Sequence, residues 1–372
     1  MKTLILSCQT GQGHNAAGKA LQQAFKKRGV ASEIKDALAF QSARASRTVS
    51  SLYINLTTRS PRMFGLLYRA GGAISSDRHK SVVYLANRPY VEALYAYIEV
   101  GGFDFIVAPH LFPAEALTYI KKHMGLRIPC FAVQTDYTCI PFWEETELDA
   151  YVIPHMDCMQ AFVQRGLPRE KLIPLGIPVE QRFVCPPDPL DCRSELGFAQ
   201  TDTLFLVMTG SMGFGEPQAL VAALLQLCKR GEKIVVLCGH NEKLRQSLLD
   251  SYGTQDQVQV HAFTHRAELY MRACDVLLTK PGGLTSTEAA VMGVPLVHTQ
   301  PIPGCETQNA AFFISRGMSI SAESTQELAQ RAYVLAYHRD QQVKMLRAQH
   351  ALIYRNASED IATWMLSRVQ KR

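Results

Sequence analysis

Near the start of this 372-residue chain, the stretch LSCQTGQGHNAAGKAL sets a histidine, His14, inside a glycine turn. Gly11, Gly13 and Ala16 spell G-x-G-x-x-A, a pattern that lets backbone approach the pyrophosphate of a dinucleotide. Gly13 to Lys19 also spell the phosphate loop G-x-x-x-x-G-K, except that Ala20 stands where that loop needs a hydroxyl for magnesium. Neither motif calls for His14.

A second stretch, TKPGGLTSTEAAVMGVPLV, carries more chemistry. A strand ends at Lys280, Pro281 starts a turn, and Gly282 and Gly283 allow close approach of a ligand. The helix that opens at Leu284 and Thr285 points backbone N–H groups and its positive dipole end outward, which suits a diphosphate. Glu288, about one turn further on, is placed to accept hydrogen bonds from ribose hydroxyls. A plain helix cap at Thr285 or Ser286 would explain the cap but not Pro-Gly-Gly. Two further segments fit the same ligand. TGSMGFGE carries Gly210 and Ser211 in another glycine loop after a strand, and PIPGCETQNAAFF places Glu306 and Asn309 to grip the hydroxyls of a polyol. Phe263, after a short apolar run, is either a platform for a nucleobase or part of the core.

These turns need strands before them and helices after them. KTLILSC, ASEIKDA, FDFIVAPH, PCFAVQTD, AYVIPH and KLIPLGIP read as short strands separated by helical stretches. The pattern then restarts with DTLFLVMTG, KIVVLCGH, VQVHAF, ACDVLLTKPGG and VPLVHT. Alternation of this kind predicts an α/β fold with parallel sheets, in two Rossmann-like doubly wound domains facing one another across a cleft. GIPVEQRFVCPPDPLDCRSELGF, rich in proline and without periodicity, reads as the linker. The expected domains are 1–178 and 179–355, with a C-terminal helix at about 356–372 packing back on the first.

Composition is that of an ordinary globular protein, 47% hydrophobic and 19% charged, with no uncharged apolar run of 18 residues. The first residues lack the apolar run and small-residue cleavage site of a signal peptide. Ten cysteines without a C-x-x-C pair point to reduced thiols in a cytosolic protein rather than structural zinc. Net charge is +6, yet residues 37–91 alone carry +7, with Arg59, Arg62 and Arg69 among eight cations and one acid, Asp77. That segment is either a solvated helical surface or a face for an anionic partner. Its interleaved Leu, Tyr, Met and Phe either suit a membrane surface, where apolar groups insert while arginines meet headgroups, or belong to the core. No nucleic-acid partner is expected.

With these residues in view, the chain resembles the monogalactosyldiacylglycerol synthases and bacterial diacylglycerol glucosyltransferases. It is more distantly similar to the lipid-linked N-acetylglucosaminyltransferase of peptidoglycan synthesis. TGQGHNAAGKAL, VQTDYTCIPFWEETELDAYVIP, LGIPVEQRF, TKPGGLTSTEA and PGCETQN carry the resemblance across nearly the whole chain. Departures are Gln12 for a glycine, Cys305 for a glutamine, and Cys139-Ile140 where many members have a histidine. The resemblance implies the GT-B architecture, a UDP-sugar donor (UDP-glucose or UDP-galactose) in the C-terminal domain, and diacylglycerol in the N-terminal one. It implies inversion at the anomeric carbon and attachment to the inner face of the cell membrane without crossing it.

Inverting transfer needs a base for the acceptor hydroxyl and a site for the departing diphosphate. His14 suits the first task, since the positive helix end favours a neutral imidazole. Asp136 is expected to orient His14 or bind acceptor, and Gly11, Gly13 and His110 to line the acceptor side. No Asp-x-Asp occurs in the chain, so no metal and no cofactor are expected beyond the donor itself. Two other classes remain open. A UDP-sugar epimerase would share the two domains without a lipid acceptor, and a non-catalytic membrane-binding regulator would not need His14.

Overall fold

A computed structural model describes residues 1–8, 12–42, 81, 84–85, 87–210, 213, 215–229 and 231–370. Gly11, Ser211, Arg59, Arg62 and Arg69, with most of the basic segment, lie outside the described residues. The chain divides into two compact units. One comprises Met1–Glu180, Pro303–Cys305 and Asn356–Arg372, the other Gln181–Ile302 and Glu306–Arg355. Each is α/β with a wholly parallel sheet, the doubly wound class that the sequence predicts. The eleven strands among the described residues fall in the segments expected to be strands, β8 starting one residue earlier at Glu232.

In the first unit the strands are β1 (Lys2–Ser7), β2 (Ala31–Asp36), β3 (Phe105–Ala108), β4 (Cys130–Val133), β5 (Ala150–Ile153) and β6 (Leu172–Pro174). Their order is β2-β1-β3-β4-β5-β6. Apolar runs such as FIVA and AYVI are buried along their whole length, as strands covered on both faces must be. Edge strand β2 is mostly half-exposed and accordingly mixed in sequence.

Helix α1 (Gln12–Lys27) follows β1. Its alanines favour helix, and Ala17, Ala20, Leu21, Ala24 and Phe25 form one buried stripe at helical spacing. Lys26 and Lys27 close it at the end where cations are favourable. Gly18 lies on the buried side, where an added Cβ would stand 3.3 Å from Ile5 Cγ2 and 3.9 Å from Pro109 Cγ. The missing side chain thus brings the first turns of α1 close to the end of β3. The other helices of the unit include α2 (Val91–Gly101), α3 (Leu111–His123) and α4 (Met159–Gln164). The C-terminal helix Ala357–Val369 packs on α1, where Lys27 and Arg28 both pair with Glu359.

In the second unit β7 (Thr203–Met208), β8 (Glu232–Leu237), β9 (Val258–His261), β10 (Val276–Thr279) and β11 (Leu296–His298) run in the order β11-β10-β7-β8-β9. Its longer helices are α5 (Pro217–Leu225), α6 (Glu242–Tyr252), α7 (Ala267–Ala273), α8 (Gly283–Met292), α9 (Cys305–Ser315), α10 (Thr325–Tyr337) and α11 (Arg339–Leu352). The stretch expected to be an irregular linker instead contains helical segments at Gln181–Val184 and Pro189–Glu195. Asp188 caps the latter by accepting from the Leu190 N–H at 2.8 Å, with Pro189 in the first turn, a start signal that proline content alone concealed. Buried Arg193 then fastens it to the Ala273 carbonyl and Asp275.

Both sheets reverse their winding once, between β1 and β3 in the first unit and between β7 and β10 in the second. At such a switch point the loops leaving two adjacent strands diverge, opening a crevice at the carboxyl ends. Among the described residues no helix is long and apolar enough to cross a membrane.

Candidate active site

The loops after β1 and β3 bring His14, Pro109 and His110 together at the first switch point. His14 lies in the first turn of α1, where Asn15 Oδ1 accepts from Ser7 Oγ at 2.7 Å and fixes the helix start to the end of β1. His14 Nδ1 is 2.9 Å from the Pro109 carbonyl oxygen and 3.1 Å from Thr135 Oγ1. A carbonyl only accepts, so in the neutral ring Nδ1 carries the proton and Nε2 is the basic nitrogen. Burial is the main influence on this imidazole and pushes its pKa below the ordinary value, while the Asp136 carboxylate pulls the other way. The ring is therefore neutral near pH 7, and Asp136 favours the imidazolium once a proton has been taken up. Desolvation, rather than the helix terminus invoked from the sequence, is the leading cause of this neutrality.

His110 is the N-cap of α3, its Nδ1 accepting from the Phe112 N–H at 3.1 Å. Its proton therefore sits on Nε2. The two rings meet edge to face with centroids 4.5 Å apart. Burial, and then the neighbouring His14, hold the His110 pKa well below its usual value. The pair thus offers one imidazole as proton acceptor and one as hydrogen-bond donor. Gly13 is the second residue of α1, beside His14.

The second switch point gathers the loops after β7 and β10. Gly282 is the N-cap of α8, and the first helical bond runs from the Ser286 N–H to the Gly282 carbonyl. The N–H groups of Gly283, Leu284 and Thr285 precede that bond, with no capping side chain at Gly282 and no acid in the first turn. Pro281 is held from behind, its carbonyl accepting from Asn309 Nδ2 at 3.1 Å. Asn309 is fully buried and supports the loop from α9. One turn earlier on α9, Glu306 pairs with Lys280 through Oε1 and accepts from the Ile302 N–H at 2.9 Å through Oε2. Glu288 is buried within α8. Gly210 adopts φ 73°, and a Cβ there would sit 2.8 Å from Lys280 Cε. Behind α8, fully buried His298 bridges Ser286 Oγ and Ser319 Oγ at 3.0 Å each, and burial depresses its pKa to about 3.

Phe263 is 37% exposed and stacks on His240 with centroids 4.2 Å apart and planes 13° apart. These two rings come from the loops after β9 and β8, so the exposed aromatic surface at Phe263 is a pair of stacked rings. Among the described residues no three His, Cys, Asp or Glu side chains gather in a metal-binding group. Thr135, the Pro109 carbonyl, Lys280 and His240 escaped the sequence reading. Only Lys280 carried a signal, a cation at the mouth of a glycine turn.

Residues 14–179 match the Monogalactosyldiacylglycerol (MGDG) synthase family, and residues 200–345 match the Glycosyl transferases group 1 family. A processive diacylglycerol beta-glucosyltransferase of Bacillus mycoides (strain KBAB4) is 26% identical over 95% of this chain and 90% of its own length. The fold is shared with Acinetobacter baumannii MurG (TM-score 0.61, 14% identity, covering 100% of this chain and 99% of that one). It is shared equally with the UDP-GlcNAc 2-epimerase of Neisseria meningitidis bound to UDP-GlcNAc (TM-score 0.64, 15% identity, 99% and 100%). The chain therefore joins a monogalactosyldiacylglycerol synthase domain to a group 1 glycosyl transferase domain on a GT-B-like pair of parallel-sheet units, and it is a glycosyltransferase.

Proposed function

We propose that this glycosyltransferase moves a hexose from UDP-glucose or UDP-galactose to diacylglycerol, or to a glycosyl-diacylglycerol, and leaves a β-glycosidic bond. His14 Nε2 takes the proton of the acceptor hydroxyl as its oxygen attacks the anomeric carbon. Asp136 stabilises the imidazolium so formed, and His110 donates to the acceptor side. The bond to the β-phosphate oxygen breaks, and its charge is received by the N–H groups of Gly283, Leu284 and Thr285. Glu288 accepts from the ribose, Glu306 from the sugar, and the Phe263–His240 stack borders the base. Catalysis is metal-independent, and the enzyme works as a peripheral protein on the inner face of the membrane.

The carrying observation is His14 itself, anchored through Nδ1 with Nε2 basic, at the start of the segment that matches the MGDG synthase family. The epimerase reading draws support from a fold likeness as strong as that to MurG. The match of residues 14–179 to the MGDG synthase family favours the transferase. Incubating the protein with diacylglycerol liposomes, a panel of UDP-sugars and EDTA, then analysing lipid and nucleotide products, separates the readings. A glycolipid is expected. Conversion of the UDP-sugar without lipid would favour the epimerase, and loss of activity in EDTA would overturn the metal-free mechanism.

A further inference from the structure

Lys280 has no part in the scheme above, yet it lies between Gly210 and Gly282 with its ammonium paired to Glu306. Its Cε fills the space where a Gly210 side chain would begin, and its ammonium lies 3.7 Å from the corresponding point on Gly282. It therefore stands between the glycine turn after β7 and the N–H groups that open α8. Its partner is Glu306, whose side chain is only 8% exposed against 25% for Lys280. A cation beside the N–H groups that open a helix is a composite anion site, and a diphosphate would meet both at once.

We infer that Lys280 binds the donor's diphosphate by exchanging partners: the ammonium leaves Glu306 for the phosphates, and Glu306 Oε1 turns to the hydroxyls of the sugar. The inference rests on the donor-site reading above. Oε2 keeps its bond from the Ile302 N–H throughout. The exchange couples two recognition events. A buried carboxylate deprived of its cation is costly unless new donors reach it, and hexose hydroxyls are such donors. UDP alone must separate the pair without that return, whereas a UDP-sugar supplies both halves of the exchange. Lys280 on the phosphates would also neutralise charge that grows as the diphosphate departs.

Calorimetry on the full chain with uridine, UDP, UDP-glucose and UDP-galactose tests this. Lys280→Met is expected to weaken UDP roughly 10- to 100-fold, the loss of a charge-assisted contact, with uridine unchanged and Lys280→Arg recovering most of it. Glu306→Gln is expected to tighten UDP, since the phosphates no longer compete for Lys280, and to lower the preference for the better UDP-sugar over UDP. A purely structural ion pair predicts the opposite sign for UDP in Glu306→Gln. Weaker UDP there, or equal loss of uridine and UDP in Lys280→Met, would overturn the exchange. A parent protein that binds UDP no better than uridine would instead overturn the donor-site reading itself.

Discussion

In the proposed mechanism His14 acts as a base only while its ring is neutral, and the groups around it set the pH at which that would fail. Desolvation lowers its pKa and Asp136 raises it, with desolvation stronger. The acid limb of kcat/KM should therefore have its midpoint below 6.5, activity falling as pH drops through it. Asp136→Asn should move that limb further down, because the opposing charge is gone. His14→Ala should cost roughly 10²–10⁴-fold in turnover, the usual worth of a positioned base, with UDP affinity unchanged. Turnover within a few-fold of the parent would remove His14 from the mechanism. Glu288 belongs to the same scale. Its replacement by Ala should weaken UDP binding by about 1.5–3 kcal/mol, the range for charge-assisted hydrogen bonds, and unchanged affinity by calorimetry would contradict a ribose contact.

Helix α8 and the turn before it form an element whose ends are held by residues far away in sequence. Asn309 pins Pro281, His298 holds Ser286, and the Lys280 stem occupies the space left open at Gly210. Gly210→Ala tests this arrangement, since it imposes a side chain on a left-handed backbone and pushes against Lys280. The backbone term alone costs about 1–2 kcal/mol. We expect a lower melting temperature and weaker UDP binding, because Lys280 must be displaced. Affinity equal to the parent's would show that Lys280 has no fixed place in the donor loop.

At the scale of the molecule, buried neutral imidazoles make stability depend on pH. In the unfolded chain His298 takes a proton near pH 6.5, whereas in the folded protein it stays neutral down to about 3. Protons thus favour unfolding between these values, and stability present above pH 6.5 is lost as the pH falls. By pH 5 His298 alone accounts for about 2 kcal/mol, and His14 and His110 act in the same direction. Denaturant melts between pH 7 and 5 should show this slope, reduced in His298→Gln; a flat profile would contradict it. The charge of residues 37–91 acts on the same scale. Each Lys or Arg near an anionic surface contributes about 1 kcal/mol, so several together decide bound from free. Co-sedimentation with anionic vesicles, release by high salt, and loss of binding on charge reversal at Arg59, Arg62 and Arg69 are expected. Equal binding to neutral and anionic vesicles would leave those arginines as ordinary surface.

The sequence by itself determined the elements, because apolar runs bounded by glycine turns report local burial wherever the chain is read. KTLILS and VLLT read as buried strands and Pro281-Gly282-Gly283 as the turn that opens a helix, while the structure alone shows that helix to lack a side-chain cap at Gly282. Strand order was not legible. Periodicity says that a strand is covered on both faces and says nothing of which strand lies beside it. Tertiary structure alone placed β3 against β1 and β10 against β7, and so set the switch point of each sheet. The same long-range packing brought the Pro109 carbonyl and Thr135 to His14 across 95 and 121 residues, fixing its tautomer. It also set Glu306 on Lys280, 26 residues apart. Hydrogen bonds of a few ångströms between residues so far apart in the chain leave no local pattern, because their geometry exists only once both sheets have chosen their order.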